Sequence, residues 1–95
     1  MSVPHFVVHD KTDSVGVIVV ETVEAHTQMS GWIMETDETI TVTALEAIPI
    51  GHKVALRNIG NGDTILKYGH DIGKAVADIA IGDLVHTHNL KTKKW

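Results

Sequence analysis

At 95 residues with no cysteine and a net charge of −4, the chain is one small domain without a disulfide framework, a thiolate metal site or a thiol nucleophile. Its apolar fraction of 43%, mostly Val, Ile and Ala, argues for a packed core over disorder, and its acidic excess, with one basic run at Lys91-Thr92-Lys93-Lys94, argues against nucleic acid as the main partner. The apolar runs are far too short to span a bilayer and the opening residues lack a signal-peptide pattern, so the chain reads as cytosolic; a domain this small is expected to lean on a partner or on copies of itself.

Taken in chain order, the elements are short and β-like. His5–His9 and Val15–Val20 are β-branched runs of strand length, and the opening stretch between them, with His9 and Asp13, reads as a turn whose Asp caps backbone amides. Gly31 and the Asp37-Glu38 pair read as turns before a strand at Thr39–Thr43. Pro49 fits only a strand edge or start. Lys53–Arg57 is a further strand. Around Gly73–Asp78 the chain offers the best helix candidate, too short to decide by periodicity, and residues 90–95 read as a basic tail.

One pattern recurs. Ile48 to Val54, Ile59 to Ile65 and Ile79 to Val85 each read apolar, two residues, Gly, two residues, apolar, with the glycines at Gly51, Gly62 and Gly82. Val23 to Met29 repeats it with His26 in the glycine's place. Each copy predicts a buried anchor, a corner needing φ > 0 and a departing strand with its next apolar residue buried; histidine is among the residues that tolerate that corner. The spacing is too uneven for a solenoid, so the expected fold is all-β, built of short strands and glycine corners.

Polar clusters sit on or beside these corners. In "LVHTHN", residues 84–89, a strand would point His86 and His88 to the same face, which suits shared metal ligation, an anion-binding patch, or two hydrogen-bonded surface rings without chemistry. Two histidines fall short of a catalytic zinc site, which normally takes three protein ligands. His52 and Lys53 follow Gly51 directly; alternation sends them to opposite faces, and a solvated turn explains them equally. Lys67 and Tyr68 suit either a substrate contact or a core-covering stem and ring. For His5, His26 and His70 the sequence names no partner.

The stretches "VVHDKTDSVGVIV", "IPIGHKVALRNI" and "GDTILKYGHDIGKAVADIAIGDLVHTHN", in this order and across about Phe6 to Asn89, resemble the SAF-type domain of the altronate and galactarate dehydratase family. The resemblance implies a small β-clip fold and a cytoplasmic lyase subunit, inactive alone, that works with a large catalytic subunit. The free-standing length is similar to that of family members eliminating bisulfite from (2R)-3-sulfolactate to give pyruvate; elimination of water from a sugar acid, as in the altronate and galactarate dehydratases, is the alternative. It further implies a divalent metal, iron, held mainly by the large subunit, with no metal ligand assigned in this chain.

Carried over by motif, His52, His86 and His88 are the expected catalytic residues, and Lys53, Asn89, Lys67, Tyr68 and His9 the expected substrate-binding ones. Ser14, where the family often has Asn, and His26, at a corner where glycine is usual, depart from the pattern. The reading from another class is a non-catalytic β-clip module binding a ligand on a flat face.

Overall fold

Eleven short strands joined by turns, and no helix, are found in the residues that a computed structural model describes: 3–67, 69–86 and 88–91. They are β1 (Phe6–Val8), β2 (Val15–Ile18), β3 (Thr22–Val23), β4 (Gln28–Ile33), β5 (Glu38–Thr43), β6 (Ile48–Pro49), β7 (Lys53–Ala55), β8 (Thr64–Lys67), β9 (His70–Ala75), β10 (Leu84–Val85) and β11 (Leu90–Lys91). Tyr68, Thr87 and residues 92–95 lie outside the described set. The main sheet runs β10-β7-β2-β1-β4-β5; β11-β9-β8 form a second sheet and β3-β6 a third. Within the main sheet β1 pairs antiparallel with β2 and parallel with β4.

The four corners form as the pattern predicts. His26, Gly51, Gly62 and Gly82 have φ of 71°, 83°, 93° and 92°. At each, the following residue donates its N–H to the carbonyl three residues back: Thr27 to Glu24, His52 to Pro49, Asp63 to Gly60 and Asp83 to Ala80, at 2.9 to 3.2 Å. A positive φ at the third residue of such a turn is what a type II turn demands. The four residues also donate their own N–H groups to neighbouring carbonyls, those of Ala44, Ile18, Ala75 and Ala55. The anchors Val23, Ile48, Ile59 and Ile79, and their successors Met29, Val54, Ile65 and Val85, are all buried.

Two of the corners clasp each other. Ile59 and Ile79 form a bridge, Asn61 N–H donates to Asp78 Oδ1 and Ile81 N–H donates to Asn58 Oδ1, both at 2.9 Å.

Gly31 corrects the turn expected there. It lies inside β4, opposite Phe6 of β1, and a methyl group at Gly31 would overlap the Phe6 ring; one at Gly16 on β2 would sit 2.7 Å from the same ring. The two glycines make room for one fully buried aromatic at the centre of the first core, with Val8, Ile18, Met29, Ile48 and Val54. Gly31→Ala is expected to destabilise the chain by about 1–3 kcal/mol through overpacking, lowering the melting temperature by roughly 4–8 °C for each kcal/mol. Thermal denaturation followed by circular dichroism checks it.

Two other expectations change. Gly73–Asp78 forms no helix: β9 runs through Ala75, because Ala75 is fully buried in a second core with Val15, Ala55, Ile65 and Val85. The segment read as a tail opens with β11, whose Leu90 pairs with Ala75 and packs on that core. Asp13 does cap amides, accepting from the N–H groups of Asp10 and Gly69 at 3.2 and 2.8 Å. No helix among the described residues is long and apolar enough to cross a membrane.

Candidate functional site

The corner at Gly51 ends one residue before β7, which leaves His52 at the strand's entry. Strand β10 runs antiparallel beside β7 with Val85 opposite Lys53, so the next pair in that register is His86 and His52. Their rings meet, centroids 4.8 Å apart and tilted by 44°. His52 is half-buried and His86 exposed. His52 Nδ1 lies 3.3 Å from the Ile50 carbonyl; a carbonyl only accepts, so in a neutral ring this contact favours the tautomer with its proton on Nδ1 and a lone pair on Nε2.

His88 does not stand beside His86 on a strand, as the i, i+2 spacing had suggested. Strand β10 ends at Val85 and the chain turns: the N–H groups of Asn89 and Leu90 both donate to the His86 carbonyl, at 3.1 and 2.9 Å. Asn89 is the buried fastener of this turn. Its Oδ1 accepts from His86 N–H at 2.9 Å and its Nδ2 donates to Leu84 O at 2.8 Å. The amide expected to contact substrate is thereby engaged in fixing His86, an arrangement that only a neutral side chain with both donor and acceptor can make. Asn89→Ala should cost about 1–3 kcal/mol by stranding buried polar groups, and a lost His52–His86 ring contact in the NMR spectrum would mark it; Asn89→Asp removes the donor alone.

The expected lysines gather on the other side of the sheet. Lys53 faces Val17 of β2 and Val85 of β10, while His52 continues the row of Ile18 and Phe6, so neighbours in sequence serve opposite faces. Burial, and then the positive charge of Lys67, hold the Lys53 ammonium below its usual pKa. No carboxylate among the described residues pairs with Lys53. Lys67 and His9 line one narrow crevice with Val7, Asp13, Val17 and Met34. Beside His9, a hydrogen bond with Glu35 raises the Asp10 pKa, and the Lys11 amide, followed by Asp10, lowers that of Glu35. Two groups therefore lie about β7: the imidazoles His52 and His86 at its entry on the Phe6 side, and Lys53 with Lys67 on the other, His9 lying farther along that face in the crevice it shares with Lys67. Tyr68 lies outside the described residues, and His88 is exposed in the turn.

The described residues do not form a metal centre by themselves, since no three His, Asp or Glu side chains among them converge; His52 and His86 offer at most two imidazoles.

Sequence reasoning missed Arg57, whose guanidinium donates to Thr12 O and Ser14 Oγ at 2.6 and 3.3 Å and so ties the opening loop to the end of β7. It also missed Trp32. Alternation through β4, with Met29, Gly31 and Ile33 buried, would have shown Trp32 facing out, had Gly31 not been read as a turn.

The altronate/galactarate dehydratase SAF domain profile matches residues 4–93. The (2R)-sulfolactate sulfo-lyase subunit alpha of Chromohalobacter salexigens is 51% identical over 90 residues, covering 95% of this chain and 96% of that one. The protein of the same name from Paracoccus pantotrophus is 59% identical over 54 residues, 57% of this chain and 81% of its own. Altronate dehydratase of Bacillus subtilis is 45% identical over 53 residues, 56% of this chain but 11% of its own length. With the strand order, the corners and this near end-to-end match together, the chain belongs to the altronate/galactarate dehydratase SAF domain family.

Proposed function

We propose that the chain is the small subunit of a cytoplasmic lyase that eliminates bisulfite from (2R)-3-sulfolactate, giving pyruvate, at a site completed by a large subunit. The observation that carries this reading is the likeness to a sulfolactate sulfo-lyase alpha subunit along almost the whole of both chains. The side chains at the β7 entry suit the chemistry. Removing the C2 proton pushes charge onto the adjacent carboxylate, C2–C3 becomes a double bond as C3–S breaks, and sulfite departs; the enolpyruvate left behind tautomerises to pyruvate. The base must accept a proton near neutrality, a role His52 Nε2 or the adjoining His86 fits, with His88 in reach of the same turn. Ammonium groups at Lys53 and Lys67 suit the carboxylate and sulfonate of a dianionic substrate. Iron, as the divalent metal, enters the proposal only as a group held mainly by the large subunit.

The isolated chain should be silent, and the pair reconstituted with the large subunit active. Sulfolactate, the hexonate altronate and a hexarate are offered to the pair while bisulfite and keto-acid release are followed. Bisulfite supports the reading; water loss from a sugar acid alone moves the chain to a sugar-acid dehydratase, the reading that the Bacillus subtilis likeness favours. Turnover of sulfolactate by the isolated chain with added iron would remove the subunit assignment.

A further inference from the structure

The main sheet packs most of one face into the first core, with only its margins open at His86 and Glu38, and leaves the other face half covered. A single row on the second face runs, by register, Val85, Lys53, Val17, Val7, Trp32, Thr39 across β10, β7, β2, β1, β4 and β5. Exposure climbs along it: Val85 is 0% exposed beneath the second sheet, Val17 and Val7 are half-buried, and Trp32 is 38% exposed. Val19 at 40% and Met34 at 37% extend the same face in the flanking rows, opposite His5 and near His9. Scattered apolar side chains on a surface need no explanation, but a tryptophan, a methionine and three valines sharing one open sheet face do.

The tryptophan is held ready. Trp32 Nε1 donates to Asp37 Oδ1 at 2.8 Å, with Asp37 in the left-handed region (φ 56°) at the β4–β5 hairpin. A large ring already fixed at the surface loses little freedom when something covers it, the property that makes tryptophan a recurrent anchor of interfaces.

What would cover it is indicated by the relatives. Two relatives matched along most of their own length carry the name of a subunit, and in the altronate dehydratases of Bacillus subtilis and Escherichia coli the matching stretch is 11% and 10% of the chain. The domain is therefore carried alongside a far larger body of protein, and the open face adjoins Lys53, at the margin where the candidate site is incomplete. We infer that the open half of this face, centred on Trp32 with Val7, Val17, Val19 and Met34 around it, is the surface on which the large subunit docks, bringing its share of the site against Lys53. The inference rests on the two-subunit reading above.

The test titrates the cognate large subunit into the small chain labelled with 5-fluorotryptophan and carrying Trp95→Phe, so that Trp32 is its one fluorinated ring. Docking here shifts the ¹⁹F resonance of Trp32. In unlabelled protein, Trp32→Glu should weaken association by about thirtyfold or more, the scale of an interface anchor, with turnover recovered at saturating large subunit. Val19→Glu, at a site whose exposure makes misfolding a lesser risk, should weaken it in the same direction. Ile81→Glu, equally exposed at a corner outside these rows, should leave it unchanged. Normal association of folded Trp32→Glu and Val19→Glu, with an unmoved resonance, overturns the docking face while leaving the two-subunit reading intact. A wild-type chain that binds no large subunit overturns that reading and the docking face with it.

Discussion

His52→Ala or His86→Ala is expected to lower the turnover of the reconstituted enzyme by several hundredfold, with assembly unchanged. That corresponds to about 3–4 kcal/mol of transition-state stabilisation, within the range of losing one well-placed catalytic group. The two rings touch, so their effects should not add: His52→Ala/His86→Ala should cost little more than the more damaging single substitution. His88→Ala, outside the ring contact and exposed in the turn, should cost less than either. If both single variants kept full turnover in assembled complex, the pair would be surface decoration, and the non-catalytic binding module would become the better reading. A loss confined to association would likewise move the pair from the chemistry to the interface.

Lys53→Met should pull stability and function in opposite directions. The substitution keeps the aliphatic stem and deletes the charge that burial and Lys67 disfavour. Because the folded-state pKa lies below 10.5, the folded chain holds this proton less tightly than the unfolded chain does. The penalty is fully present below the folded pKa, and stability rises with pH between that value and the unfolded one, where the unfolded state carries more protons. The isolated Lys53→Met chain should therefore melt higher than wild type at neutral pH, and the difference should vanish once the pH passes the unfolded value. In the reconstituted enzyme it should raise KM for sulfolactate about ten- to hundredfold, the loss of one charge-assisted contact. Lys67→Met should relieve part of the same penalty, by removing the second positive charge. A Lys53→Met chain with unchanged melting and unchanged KM would show that the ammonium neither suffers from its surroundings nor meets the substrate.

The corners were legible because each is a local device: an anchor, a φ that only glycine or a tolerant residue takes, and a second anchor, all within seven residues. All four appear, the histidine copy included. Gly31 was misread because its reason lies 25 residues away, in the ring of Phe6, and no window around Gly31 contains that ring. The same distance hid the site's arrangement. His52 and His86 are 34 residues apart and meet only through the β7–β10 register, and Lys53 and Lys67 meet only through the packing of the second sheet on the first. Asn89 was assigned from its motif to the substrate; that its two amide atoms also close the turn that sets His86 was not legible, because the turn itself was read as a strand. What alternation alone predicted, that His52 and Lys53 would serve opposite faces, agrees with the register.

The order of strands across the main sheet has a consequence for synthesis. Its centre, β1, leaves the ribosome first and its β10 edge almost last, so a nascent chain can close the Phe6 core well before Val85 and Leu90 arrive to seal the second. Until then His52 waits at the entry of β7 without its neighbouring ring, and the second core lacks Val85 and the packing of Leu90. The growing polypeptide thus has the residues of its first core in hand early and the partner strand of its candidate site late, and a chain ending short of residue 84 would lack both the β10 edge and the His86 ring.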